Sequence, residues 1–369
     1  MAALAETARL IRSPYHDAVV AAGVTDWSIY NRTLLPLSFG DLQAEYRRLT
    51  EGVALWDVSC QRQVQIEGRD AEVCVQYLTA RDLSKMRVGQ GRYVAMCDHD
   101  GRLLNDPVLL KLSDGRFWFS IADSDMLLWC RAIAAERGFD VQITDPNVGP
   151  LAVQGPKAAD VIADVFGEST RDIKFFGFEE VVHDGIKLVL CRSGWSHQGG
   201  FELFLESAHR GVDLWNLVAE AGEPYGIGPG GPNHVERVEA GLLAWGGDTT
   251  PDSNPFEAGM ARYVDVDCEA EYIGKAALMR VVEEGPARQF VGLMVEGEYT
   301  EPWPLPQRAV VRRGSEDVGT MSALVRSPKL DRTIGLAQIT TPVVEASERV
   351  EIESPSGPLC ADIVALPFV

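Results

Sequence analysis

Apolar and polar positions change their spacing several times along the chain. From Val53 to about Ala122 the pattern is mainly strands and turns. Gln63, Val64, Gln65 and Ile66 alternate before Gly68, and Arg92-Tyr93-Val94-Ala95-Met96 runs into the turn Asp98-His99-Asp100-Gly101. Leu109 to Leu112 and Phe117 to Ile121 flank Ser113-Asp114-Gly115-Arg116, a hairpin signal because Asp-Gly accepts the positive φ of a tight turn. Asp70 to Leu78 and Ser124 to Gly138 carry helical spacing between these strands. A second block repeats the order: Leu151 to Gln154 is a strand leading to a helix with Pro156 in its first turn. Ile186 to Cys191 and Phe201 to Leu205 follow as strands. Val212, Trp215, Val218 and Ala219 then mark one helical face that stops at Gly222. The glycine-rich loop 226–231 enters a helix through Asn233-His-Val-Glu236, an N-cap with Glu three residues on, whose apolar face is Val235, Val238, Leu242 and Leu243. Beyond Glu284, short β-rich runs (290–294, 309–311, 334–339, 350–352) separated by turn residues predict a small barrel.

The predicted fold class is therefore α+β, with an α+β region over 1–284 and a β-barrel over 285–369. No Gly-x-Gly-x-x-Gly opens a β-α-β unit, and loop 226–231 lacks the Lys-Ser/Thr pair of a phosphate cradle. Acidic residues outnumber basic ones 54 to 34, a net charge of −20. That surplus repels phosphate backbones and anionic headgroups, so neither nucleic acid nor a membrane is expected as a partner. No apolar run reaches the length of a spanning helix, and MAALAETARL lacks the features of a secretory leader, so a cytoplasmic location is expected. Seven cysteines without a C-x-x-C pair suggest neither zinc nor disulfides, and the six histidines lack ligand spacing, so no metal is expected.

A set of ordered motifs carries the reading further. Gly52-Val-Ala-Leu-Trp-Asp-Val-Ser59, Val88 to Tyr93, Gly101-Arg-Leu-Leu-Asn-Asp106, Leu151-Ala-Val-Gln-Gly-Pro-Lys157, Arg192-Ser-Gly-Trp195 through Glu202, and Arg237-Val-Glu-Ala-Gly241 stand in this order, followed by Val318 to Ser322, Ser327-Pro328 and Ile334 to Ala337. Together they resemble the folate-dependent aminomethyltransferase (glycine-cleavage T-protein) family over nearly the whole chain. Within it, Arg12-Ser-Pro-Tyr15, Tyr30-Asn31, Asn105-Asp106-Pro107, Lys174-Phe-Phe-Gly177 and Ser193-Gly-Trp-Ser196 look like the dimethylsulfoniopropionate (DMSP) demethylases. The resemblance implies a three-domain cloverleaf of two interleaved ferredoxin-like sandwiches plus the barrel. It implies tetrahydrofolate as methyl acceptor, an onium compound such as DMSP as donor, and 5-methyltetrahydrofolate as product. The partners expected are those two small molecules, with a homodimer left open.

The chemistry this implies is undemanding in acid and base, since a neutral amine takes a methyl group from a sulfonium and a neutral thioether leaves. Catalysis then reduces to holding three atoms in line, a positioning effect of up to ~7 to 11 kcal/mol. A permanent cation is recognised by aromatic faces, at roughly 0.5 to 2 kcal/mol each. By resemblance, Glu202 recognises the pterin, Tyr93 and Asp106 lie beside the folate, and Trp195 stands where T-proteins carry a tyrosine. Asp106 and Trp195 are the expected catalytic residues. Tyr15, Tyr30, Arg32 and His197 are the expected donor contacts, Arg32 for a carboxylate, although a core role for Tyr15 and Tyr30 is an equally simple reading and a surface role for Arg32 the simpler one. Departures are Asn105 for the first Asp of an Asp-Asp pair, Asn233 for an Arg, His197 for a Lys and Phe204 for a Tyr; if either of the last two positions touches the donor's carboxylate, the donor differs from DMSP. The alternatives are an aryl-ether O-demethylase using His197 as acid, a glycine-cleavage aminomethyltransferase, and a non-catalytic folate-binding protein.

Overall fold

The computed structural model describes residues 7–206, 208–297, 308–354 and 357–369. The chain forms two compact units, one of residues 1–75, 84–93 and 107–233, the other of 76–83, 94–106 and 234–369.

The first unit holds two antiparallel sheets. In the five-stranded sheet the order is Val141–Thr144, Gln63–Gly68, Arg116–Ser120, Val108–Ser113, Gln90–Tyr93. Leaving aside the edge strand, this is the 4-1-3-2 order of a ferredoxin-like sandwich, with helix Met126–Arg137 between its third and fourth strands. The six-stranded sheet runs Phe178–His183, Ile186–Cys191, Gly200–Leu205, Gly149–Gln154, Ala54–Asp57, Gly228–Gly230. Ala54–Asp57 comes from ahead of the first sheet in sequence and pairs antiparallel with Gly149–Gln154, so the two sandwiches interleave. Strand alternation sorts the side chains: Phe201, Leu203 and Leu205 pack with Val161, Ile162, Leu214 and Val218 of the helices Ala158–Phe166 and Gly211–Gly222. Phe204, on the other face, joins Leu110, Leu112, Trp118 and Val189 in an apolar layer shared by both sheets.

The second unit contains a closed six-stranded barrel, in the order Arg288–Val295, Arg332–Thr340, Glu316–Ser327, Ala309–Arg313, Val350–Ile352, Leu359–Val364. Closure leaves no free strand edge. The motif residues of this unit hold one another. Arg237 donates to Asp248 at 2.8 Å, the Ser322 hydroxyl donates to Asp248 at 2.6 Å, and that of Ser327 to Glu239 at 2.5 Å. Arg237, Asp248 and Glu239 are buried, so the Arg-Val-Glu-Ala-Gly segment serves as a charge-paired strut between its helix and the barrel.

Several elements differ from the predicted ones. The run Arg92 to Met96 is two strands, Gln90–Tyr93 and Met96–Cys97, in different sheets, because the chain leaves the first unit after Tyr93. The 113–116 turn closes as predicted, with Ser113 opposite Arg116, but Gly115 is absent from the positive-φ residues. Its small size serves instead, since a Cβ there would lie 3.3 Å from the Gly68 carbonyl oxygen. The helix after Pro156 starts at Ala158, so Pro156 precedes it. Helix His234–Glu239 ends before Leu242 and Leu243 because Gly241 turns left-handed at φ 63. The hairpin Asp26–Tyr30/Thr33–Ser38 and strands Phe178–His183 and Leu359–Val364 were not expected from spacing. All seven cysteines are free thiols.

Candidate active site

The best-defined polar constellation of the first unit lies at one end of the six-stranded sheet. Glu202 sits inside strand Gly200–Leu205, opposite Ala152 on one neighbour and Cys191 on the other. Alternation puts it on the same face as Phe204, toward the other sheet, and it is 6 % exposed. Ser193, itself buried, donates its hydroxyl to Glu202 Oε2 at 2.5 Å. Burial pushes the Glu202 carboxyl above its ordinary range, and the Ser193 hydrogen bond pulls it back in part. A carboxylate offers about four lone-pair positions. One hydroxyl satisfies one of them, so the group is equipped to accept two parallel N–H donors from a ligand.

The loop that carries Trp195 is shaped by Gln154, which ends the neighbouring strand Gly149–Gln154 and has no exposed surface. Its Nε2 donates to the carbonyls of Ser193 at 3.1 Å and Phe201 at 3.4 Å, and its Oε1 accepts from the Ser196 hydroxyl at 2.8 Å. The next residue, Gly155, donates its N–H to the Gly199 carbonyl at 2.9 Å. Arg192 anchors the approach to the loop through the Ile173 carbonyl at 2.9 Å. Trp195 is half-buried between these restraints, whereas His197 is exposed.

Tyr93 closes strand Gln90–Tyr93 and is half-buried. Two residues earlier, Gly91 N–H donates to the Phe176 carbonyl, and Phe176 N–H donates to the Arg192 carbonyl at 2.8 Å. This backbone relay ties the strand bearing Tyr93 to the segment that enters the Trp195 loop. Tyr30 and Thr33 flank a two-residue hairpin turn in which Asn31 and Arg32 both take positive φ, 47° and 61°. Asn31 fastens that turn: its Nδ2 donates to the Cys60, Ile121 and Ala122 carbonyls, and its Oδ1 accepts from Ser124 N–H. Arg32 points outward, exposed, with Nε on the Arg9 carbonyl.

Two sequence expectations are corrected by burial. Tyr15 has no exposed surface, packs in the core of the six-stranded sheet and donates its hydroxyl to the Gly149 carbonyl at 2.8 Å. Its neighbour Ser13 donates to the buried Asp57, so the Arg12-Ser-Pro-Tyr segment is a structural clasp. Phe204 is 1 % exposed, with its ring 6.3 Å from that of Trp118. The missing hydroxyl at 204 therefore falls within apolar packing.

Asp106 belongs to the second unit. It follows the strand Leu103–Asn105, whose Asn105 is fully buried and pairs with Met96, and it is half-buried. Ser253 holds this strand through the Leu103 N–H, and Trp245 Nε1 donates to the Leu103 carbonyl at 3.3 Å. Nearby in sequence to the expected folate arginine position, His234 is kept neutral: burial and the Arg237 guanidinium depress it to about 2. Ser193, Gln154 and Asn31 were quoted within motifs without a role. The available signal for Gln154 and Ser193 was a polar residue directly before a glycine, Gly155 and Gly194, at or just beyond a strand end.

A six-stranded sheet with a buried glutamate, interleaved with a ferredoxin-like sandwich, and a closed barrel describe a protein of the T-protein fold. The profile of the GCVT N-terminal domain matches residues 16–268 and that of the glycine cleavage T-protein C-terminal barrel domain matches 288–369. The chain belongs to the glycine cleavage T-protein family. It is 41 % identical over 360 residues to the dimethylsulfoniopropionate demethylase of Ruegeria pomeroyi, covering 97 % of each chain. It is 30 % identical to the aminomethyltransferase of Listeria monocytogenes, over 97 % of this chain and 98 % of that one. Among solved structures, the glycine cleavage system aminomethyltransferase T from Bartonella henselae shares the fold, with a TM-score of 0.84 over 98 % of both chains at 24 % identity.

Proposed function

We propose that this protein is a tetrahydrofolate-dependent demethylase that takes a methyl group from DMSP or a similar onium compound. The observation that carries the reading is the full-length likeness to a DMSP demethylase, joined to a buried carboxylate that has one hydroxyl donor and room for two more. When bound, tetrahydrofolate supplies the N5 lone pair: the new N–C bond forms as the C–S bond breaks, the electron pair stays on sulfur as a neutral thioether, and a proton leaves N5 to solvent.

The chain's own groups supply recognition and alignment. Glu202 accepts the pterin amine and ring N–H in a charge-assisted pair, and Ser193 keeps the carboxylate turned toward them. Trp195 offers an aromatic face to the sulfonium, with Tyr30 and His197 on the donor side and Arg32 as candidate partner for its carboxylate. Tyr93 and Asp106 lie along the folate. No side chain need ionise during turnover, so rate comes from in-line placement.

The net charge of −20 slows encounter with an acidic carrier protein and suits small, freely diffusing substrates, which favours this reading over glycine cleavage. We assign the catalytic region to 1–284, the barrel to 285–369, and the enzyme to one-carbon metabolism in the cytoplasm. Among the described residues no helix is long and apolar enough to cross a membrane. The test is direct. Protein, tetrahydrofolate and DMSP should yield 5-methyltetrahydrofolate and methylthiopropionate in equal amounts; absence of both, with turnover of an aryl methyl ether instead, overturns the proposal.

A further inference from the structure

We propose that Gln154 is the positioning residue of the methyl-transfer loop: its buried amide grips Ser193 at the start of the loop and Ser196 at its middle, and so places both Trp195 and the Ser193–Glu202 pair. The inference deepens the demethylase reading and rests on it.

Three observations point the same way. Gln154 has no exposed surface, yet it is a polar side chain at the end of a strand whose other members are apolar. Burying an amide is costly unless its groups are satisfied, and a leucine would fill similar volume without that demand. All of its side-chain hydrogen bonds but one reach the loop or the strand leaving it: Ser193, Phe201 and Ser196, the exception being the Val153 carbonyl at 3.3 Å.

The loop is also built around the amide. A Cβ on Gly194 would meet the Gln154 Nε2 and Oε1 at 2.1 Å, and one on Gly200 would meet Nε2 at 2.5 Å and the Val153 carbonyl oxygen at 2.4 Å. The clash at Gly194 is with the Gln154 side chain, whereas that at Gly200 includes backbone. Gly194 is therefore required on two counts, the Gln154 amide against it and its own φ of 154°. Finally, the Gly155–Gly199 bond closes the far end, so residues 154 and 155 bracket the loop from 193 to 199. Trp195 stands inside that bracket, flanked on each side by a residue the amide holds.

The test uses the full-length enzyme, four single variants and one double variant. Gln154→Met keeps volume and deletes every side-chain bond of the amide. With its three bonds to the loop and the following strand lost, amide exchange of 194–199 should rise at least about tenfold. The rate kcat for methyl transfer should fall at least about 30-fold while donor KM changes less than about threefold, because alignment is lost before affinity. Gln154→Glu, which retains the acceptor for Ser196, should lie between Gln154→Met and the unsubstituted enzyme. Gly194→Ala should be at least as damaging as Gln154→Met, and in the cycle of Gln154→Ala, Gly194→Ala and their double variant the effects should be less than additive.

A folded Gln154→Met enzyme with unchanged loop exchange and kcat within twofold overturns the proposal. If Gln154→Met fails to fold, Ser196→Ala takes its place, with about threefold faster exchange expected for one lost bond and no change overturning the inference. If the unsubstituted enzyme makes no 5-methyltetrahydrofolate from any onium donor, the demethylase reading is what fails. Gln154 is then judged by loop exchange and by tetrahydrofolate affinity from calorimetry, and wild-type values of both in Gln154→Met overturn it.

Discussion

The Ser193 hydroxyl lies 2.5 Å from Glu202 Oε2, and both residues are buried. One short hydrogen bond thus steadies a carboxylate that its surroundings would otherwise neutralise. The pair costs stability and gives a site for N–H donors, and the two effects can be measured apart.

Glu202→Gln should stabilise the protein and disable it. The folded carboxyl is raised above its unfolded value near about 4.3. Between those two values the native state holds more proton than the unfolded one, so stability falls as pH rises and stays lowered above the folded value. The amide removes this penalty, so urea midpoints at pH 7 should rise, with a flatter pH profile above about 4.5. Tetrahydrofolate affinity should fall roughly 30- to 150-fold, the value of ~2 to 3 kcal/mol for a charge-assisted pair. A Gln variant that is less stable at pH 7 would contradict the assignment of a buried, under-satisfied carboxylate.

Trp195→Ala should raise KM for an onium donor by about 3- to 30-fold, and Trp195→Phe by less, since a smaller aromatic face remains. Equal KM in both variants and in the unsubstituted enzyme would remove Trp195 from the cation site.

Phe204→Tyr should lower stability without changing donor preference. The added hydroxyl enters the layer containing Trp118, Leu110 and Val189, where an unsatisfied hydroxyl costs about 1 to 3 kcal/mol. A shift in donor preference with unchanged stability would restore position 204 to the donor site.

Neighbouring turn residues should respond in opposite senses. Arg32→Gly relieves a left-handed backbone at φ 61 and removes an exposed side chain, so denaturation should show a gain of up to about 1 kcal/mol. Asn31→Gly relieves φ 47 but loses bonds to three carbonyls and one amide, so a net loss of about 1 to 3 kcal/mol is expected.

Thiol reagents at pH 8 should modify Cys360 first and Cys268 more slowly. The other five thiols are buried, and burial pushes Cys74 up to about 12 and Cys60, Cys97, Cys130 and Cys191 above it. Rapid loss of more than two thiols before unfolding would contradict that burial.

The strands 63–68, 186–191 and 200–205, the hairpin across Asp114-Gly115 and the barrel were legible because alternation and turn chemistry are local. The run Arg92 to Met96 misled because apolar character continues where the chain changes units, which no window of a few residues records. Tyr15 and Phe204 misled for a related reason: an aromatic in a motif is written alike whether its ring meets a ligand or a core.

By itself the sequence determined the α+β character, the ordered motifs and the acidic balance, all properties of neighbours in the chain or of sums over it. Tertiary structure alone decided that Gln154, 39 residues before Ser193, shapes the loop around Trp195, and that Ser193 meets Glu202 across a sheet end. Those contacts depend on strand register. Register follows from which faces are buried together, and that is settled only when the sheets pack.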